Sequence, residues 1–108
     1  MIKKFILPLF EIEFAFYIGE KERKKFLKIA SKKDTPEREE FMHSEAEGIT
    51  NGTYMFIKDI NCLGSVVHEL HHVAHNITDF LGIHDEETEA YVQQYMMGQY
   101  LHIWQDQK

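Results

Sequence analysis

The stretch Val66 to His75 reads VVHELHHVAH and contains the pentapeptide His-Glu-x-x-His, with His68 and His72 four residues apart and Glu69 beside the first histidine. In a helix, residues i and i+4 project from nearly the same face, about one turn apart. Two imidazoles placed in this way can bind one zinc ion, and Glu69 can reach a water on that metal. The stretch therefore predicts a metal-binding helix.

Two helices are predicted around this motif. The first begins after Asn61, whose side chain can cap it, and ends at about Leu81, because Gly82 suits a left-handed terminus. Its apolar surface is expected to comprise Val67, Leu70, Val73, Ala74, Ile77 and Leu81. The second helix is predicted from about residue 86 to residue 103 or 104. Its apolar sides are expected to carry Ala90, Tyr91, Val92, Tyr95, Met96 and Leu101.

Upstream of the motif, the sequence predicts strands. Alternation over residues 10–18 indicates a half-buried strand with Pro8 at its start or on an edge, because side chains of a strand alternate between its faces. One face would carry Phe10, Ile12, Phe14, Phe16 and Ile18, and the other Glu11, Glu13 and Tyr17. Asn51-Gly52 predicts a hairpin turn that leads into a strand over residues 53–57. An exposed edge there could hold an extended peptide by main-chain hydrogen bonds, or the segment could be an ordinary strand of the sheet.

Residues 20–32 are predicted to form a helix packed across this sheet. Its narrow apolar stripe would comprise Arg23, Phe26, Leu27 and Ala30. Thr35 can cap a short helix that begins at Pro36. The expected fold is α+β: a small antiparallel sheet packed against the metal-binding helix and a C-terminal helix. With 108 residues, a single domain over 1–108 is predicted.

Composition limits the classes of partner. The formal net charge of -6 argues against a nucleic-acid binder, because phosphate contacts need clustered Lys and Arg. No stretch is apolar enough to predict a membrane span, and Glu11 and Glu13 interrupt the apolar start of the chain, so we interpret it as structure rather than a signal peptide. The single cysteine, Cys62, is typical of a reducing compartment. We expect a cytoplasmic protein whose partner is a peptide or protein.

A catalytic zinc usually has three protein ligands, so one more is needed. The candidates are His75, His84, Asp85, Glu86, Glu87 and Glu89. His75 continues the row of His68 and His72, and the outer two would lie about 10 Å apart at 1.5 Å rise per residue, too far for one ion. Glu87 is favoured because a carboxylate on a largely apolar stripe costs free energy unless it is paired, and a metal ion would be such a partner. That stripe would comprise Glu87, Ala90, Tyr91, Gln94 and Gly98.

Residues 68–72 followed by residues 87–91 resemble the His-Glu-x-x-His…Glu-x-x-Ala arrangement of small zincin metallopeptidases of the gluzincin type. In particular, the pattern is similar to that of short members encoded by phages and prophages. The resemblance covers about residues 48–101 and implies a minimal zincin-like fold. It implies a Zn²⁺ cofactor held by His68, His72 and Glu87, with Glu69 as general base for hydrolysis of a peptide bond.

Several roles stay open at this point. Tyr91 is the first candidate to stabilise the developing oxyanion, with His43 and His84 behind it, although Tyr91 also suits a core position. Asn76, Asp79 or a carboxylate of the last helix could orient the imidazoles. A rival function is a non-catalytic, zinc-containing phage-type protein that binds a host or viral protein, in which His84 closes the metal site. A third interpretation has no metal and a solvated histidine face.

Overall fold

The computed structural model describes residues 1–31 and 46–107, with the side chains of 1–29 and 46–107. The predicted short helix at Thr35-Pro36 and the candidate His43 lie outside these residues. Four strands form one sheet, β1 (Ile2–Leu7), β2 (Ile12–Ile18), β3 (Gly48–Asn51) and β4 (Tyr54–Ile57), in the order β1-β2-β4-β3. The expected α+β class is confirmed.

The sheet is mixed, so the prediction of an antiparallel sheet was wrong. β1 pairs with β2 and β3 pairs with β4 in antiparallel fashion, but β2 and β4 run parallel, with Ala15 opposite Tyr54 and Ile18 opposite Ile57. Residues 48–57 form the β3–β4 hairpin, and its second arm, β4, is the one that pairs with β2. The outer arm of that hairpin, β3, then occupies the edge and β4 the interior.

β2 is buried on both faces, which explains its run of apolar residues. Phe14, Phe16 and Ile18 pack into a large core on one side, while Ala15 and Tyr17 pack into a smaller core on the other. The predicted alternation is therefore present, but the strand is not half-buried, because a core covers each of its two faces. Pro8 lies in the turn between β1 and β2, not at the start of β2.

The smaller core lies under α1 (Arg23–Ser31), which follows a 3₁₀ turn at Glu20–Glu22. Phe26 is its buried residue, and the guanidinium of Arg23 lies 4.6 Å from the ring centroid of Phe56. The prediction of a helix packed on the sheet is thus confirmed. This core comprises Ala15, Tyr17, Phe26, Ile49 and Phe56.

The opposite face of the sheet carries α2 (Leu63–Leu81) and α3 (Glu86–Asp106). The Trp104 indole N–H donates to Asn61 Oδ1 at 3.0 Å, and the Tyr100 hydroxyl donates to the Ile60 carbonyl at 2.7 Å. These contacts join the end of α3 to the start of α2, so the two helices are antiparallel. Asn61 therefore binds Trp104 rather than capping α2, which begins after Cys62. No helix in the two described ranges combines the length and apolar character needed to cross a membrane.

The two predicted glycine turns are both present in the structure. Gly52 lies between β3 and β4 with φ of 61°, and Gly82 ends α2 with φ of 70°. Both angles lie in the left-handed region that glycine adopts without steric cost. The Gly82 amide donates to the carbonyls of Thr78 and Asp79, which closes the last turn of α2. The short connection that follows brings the first turn of α3 back alongside α2.

Candidate metal and catalytic site

His68 and His72 lie on the outward face of α2, one turn apart, as predicted. Their Nε2 atoms are 3.2 Å apart and their ring centroids 4.8 Å apart. Two nitrogens on a tetrahedral zinc with bonds of about 2.0–2.1 Å would be separated by about 3.3 Å, so the imidazole pair fits this ion. Without a metal, the same distance allows one ring N–H to donate to the other ring nitrogen. Both side chains are exposed, so the pair is accessible from solvent.

Glu69 differs sharply from its neighbours because it is buried, with 8 % of its surface exposed. Its Oε1 accepts a hydrogen bond of 2.8 Å from the Thr50 hydroxyl of β3, and its Oε2 lies 3.9 Å from His68 Nε2. One oxygen is thus held by the sheet while the other remains beside the imidazole pair. A carboxylate fixed in this way can accept and return a proton.

The edge strand β3 fits closely against this carboxylate. A Cβ at Gly48 would come within 2.8 Å of Glu69 Cγ and 3.1 Å of Glu69 Oε2. Glycine at this position therefore lets α2 and β3 approach. Neither Gly48 nor Thr50 was predicted to contribute to the site. No motif identifies them, because their role follows from the pairing of β3 with β4 and from the position of α2.

Of the two alternatives for residues 53–57, an exposed edge or an ordinary strand of the sheet, the second is observed. β4 lies between β2 and β3, and the edge next to α2 belongs to β3. Asn76, a candidate for orienting the imidazoles, instead donates from Nδ2 to the Gly52 carbonyl at 2.8 Å. This bond fastens the second half of α2 to the hairpin turn. Asp79 is exposed on the same helix.

Glu87 does not join the imidazole pair. The apolar stripe predicted for it was wrong: Glu87, Ala90, Tyr91, Gln94 and Gly98 are all exposed, while α3 buries Val92, Met96, Tyr100 and Ile103. Tyr91 is 49 % exposed, so the alternative of a core aromatic is also wrong. In residues 1–31 and 46–107, no three His, Cys, Asp or Glu side chains form a metal-binding group.

Another acid of α3 approaches the histidine face, which is the side of α2 that carries His68, His72 and His75. Glu89 is half-buried, and its Oε1 lies 3.7 Å from His75 Nδ1, one turn beyond His72 on α2. Asp85 caps the first turn of α3, where it accepts from the Glu87 amide at 3.3 Å and from the Thr88 hydroxyl at 2.8 Å. The Thr88 hydroxyl and, next, the Glu87 amide lower the pKa of Asp85 below its usual range. Asp85 is therefore committed to the helix terminus.

No family model, curated protein or solved structure matches the chain.

Proposed function

We propose that the protein is a zinc-dependent peptidase, with His68 and His72 as metal ligands and Glu69 as general base. The observation that carries this proposal is the juxtaposition of two converging imidazoles with a carboxylate pinned to an edge strand. A merely solvated histidine face gives no reason to bury Glu69, since a carboxylate loses solvation when it leaves water. The arrangement instead serves a base that must keep one orientation.

Glu89 is the third ligand in this proposal and replaces Glu87. It is half-buried on the side of α3 that approaches α2, and it contacts His75. Glu87 is exposed in the same first turn. Carboxylate oxygen is an ordinary third donor to a catalytic zinc that already has two imidazole ligands.

When bound, zinc would supply an activated water and polarise the peptide carbonyl. Glu69 takes a proton from the attacking water through Oε2 and delivers it to the leaving amine, which completes hydrolysis. The Thr50 hydroxyl keeps Oε1 occupied, so the other oxygen faces His68. β3, as an edge strand, offers main-chain groups to an extended peptide or protein substrate beside Glu69.

The test combines elemental analysis of the purified protein with cleavage of a peptide library. His68→Asn and His72→Asn should lose bound zinc, whereas His71→Asn, an exposed histidine on the same helix, should retain it. Glu69→Gln should retain zinc and the bond from Thr50 but lose about 10²–10⁴-fold in cleavage rate.

Equal zinc content in the His68→Asn and His71→Asn variants would contradict the ligand assignment. Unchanged cleavage by Glu69→Gln would contradict the base. A wild-type protein that binds zinc through His68 and His72 but cleaves no library peptide would support the rival, non-catalytic protein.

A further inference from the structure

A groove of about 550 Å³ opens between α2 and α3. Val67 and Leu101, on opposite walls, are 48 % and 37 % exposed although both are apolar. Val67, which was predicted to belong to the apolar surface of α2, therefore lines the groove rather than the core. The groove is lined by Val67, Leu70, Ala90, Gln93, Gln94, Met97, Gly98 and Leu101. The side chains that line it include no ionisable group, so its floor and walls suit apolar contact.

Gly98 lies in the middle of α3, where glycine costs about 1 kcal/mol relative to alanine. A Cβ at this position would meet no described atom within 4 Å. Gly48 is glycine because Glu69 approaches it, but no neighbour in the described chain imposes glycine at position 98. Its effect is to keep the groove open.

The formal charges that α2 and α3 themselves carry all have one sign. Between Lys58 and Lys108 the sequence contains no Lys or Arg, but it contains the acids Asp59, Glu69, Asp79, Asp85, Glu86, Glu87, Glu89 and Asp106. Glu86 and Glu87 are exposed about one turn before Ala90, at one end of the groove. A second copy bound through the same face would bring these acids together. A partner rich in Lys and Arg would complement them.

We propose that this groove binds a basic amphipathic helix of a partner protein, with the apolar side of that helix between α2 and α3. Two antiparallel helices with an open apolar seam are a frequent receptor for a third helix. Positive side chains at the rim of that third helix would face the exposed carboxylates of Glu86 and Glu87. The proposal uses none of the proposed metal ligands or the general base, so it stands apart from the peptidase function.

The probes are three synthetic peptides of about 18 residues, long enough for about 27 Å of helix. One has Leu at helical spacing and Lys elsewhere, the second has Glu in place of Lys, and the third has the basic composition in scrambled order. Binding to the full chain is measured by fluorescence anisotropy at two ionic strengths. Gly98→Leu fills the groove, and Gly64→Leu is the matched control, because a Cβ at Gly64 of α2 also meets no atom within 4 Å.

The basic amphipathic peptide should bind, and its affinity should fall as salt rises. Gly98→Leu should weaken that binding at least about tenfold, as expected when the centre of a contact is blocked, while Gly64→Leu should not. Thermal unfolding establishes that both variants are folded. Equal binding by both variants, equal binding of the acidic or scrambled peptide, or a dimer that Gly98→Leu dissociates would overturn the proposal.

Discussion

The two sides of α2 differ in how completely the chain builds them. On the side facing β3, Glu69 is buried, accepts a hydrogen bond from Thr50 and packs against Gly48. On the neighbouring, solvent-facing side, His68 and His72 converge without a third described donor. A hydroxyl and close packing can position a carboxylate unaided. Several metal donors, in contrast, lose hydration when they come together, and only their bonds to a bound cation compensate for that loss.

The first prediction tests the solvent-facing side, where Glu89 of α3 is the proposed third ligand. Glu89→Gln should lower zinc affinity at least about 100-fold, because loss of a direct ligand exceeds the 10–100-fold effect of an outer-shell partner. Glu87→Gln, two residues away in the same turn, should leave affinity unchanged. Zinc titration by competition with a chelating dye measures both. The reverse result would restore Glu87 as the ligand and would show that the first turn of α3 rearranges on binding.

The second prediction concerns a variant that disrupts the contact between α2 and β3. Gly48→Ala places a methyl group against Glu69, so the carboxylate must move. A displacement of about 1 Å in catalytic geometry can cost about 100-fold, and we expect a loss of about 10–100-fold in kcat/KM with zinc content retained. Gly64→Ala, a glycine with free space around it, is the matched control. An unchanged rate in Gly48→Ala would mean that the fit between β3 and α2 does not position the base.

The third and smallest effect concerns the bond to Glu69. Thr50→Val removes the hydroxyl with little change in shape, and a hydrogen bond to a charged group contributes about 1.5–3 kcal/mol. We expect roughly a tenfold fall in kcat/KM, with zinc affinity intact. Thr53→Val is the control, since its hydroxyl donates to the Glu13 carbonyl at 2.8 Å in the same hairpin. Equal losses in the two variants would indicate a general effect on the hairpin instead.

Local periodicity predicted several elements correctly. The alternation in β2, the glycine turns at Gly52 and Gly82 and both long helices follow from spacing within a few residues. The inward face of α3 did not follow from it. Apolar residues occur almost all around that helix, so the sequence permitted Tyr91 and Glu87 to be placed on an apolar stripe that is in fact exposed. The choice of face depends on packing against α2 and the sheet.

Local sequence patterns did not predict the order of the strands either. β3 and β4 form the predicted hairpin, but which arm joins β2 depends on contacts between residues about 40 apart, such as Ala15 with Tyr54. That choice placed β3, not β4, at the edge beside α2. Gly48 and Thr50 acquired their contacts with Glu69 only as a consequence.

The sequence by itself determined the spacing of His68, Glu69 and His72 on one helix, because backbone hydrogen bonds set the helical repeat whatever lies around it. The tertiary structure alone decided that Glu69 points into the protein while the histidines point out. It also brought Glu89 rather than Glu87 near the histidine face. Those outcomes depend on which apolar surfaces of distant segments pack together, and that pairing is a property of the whole chain.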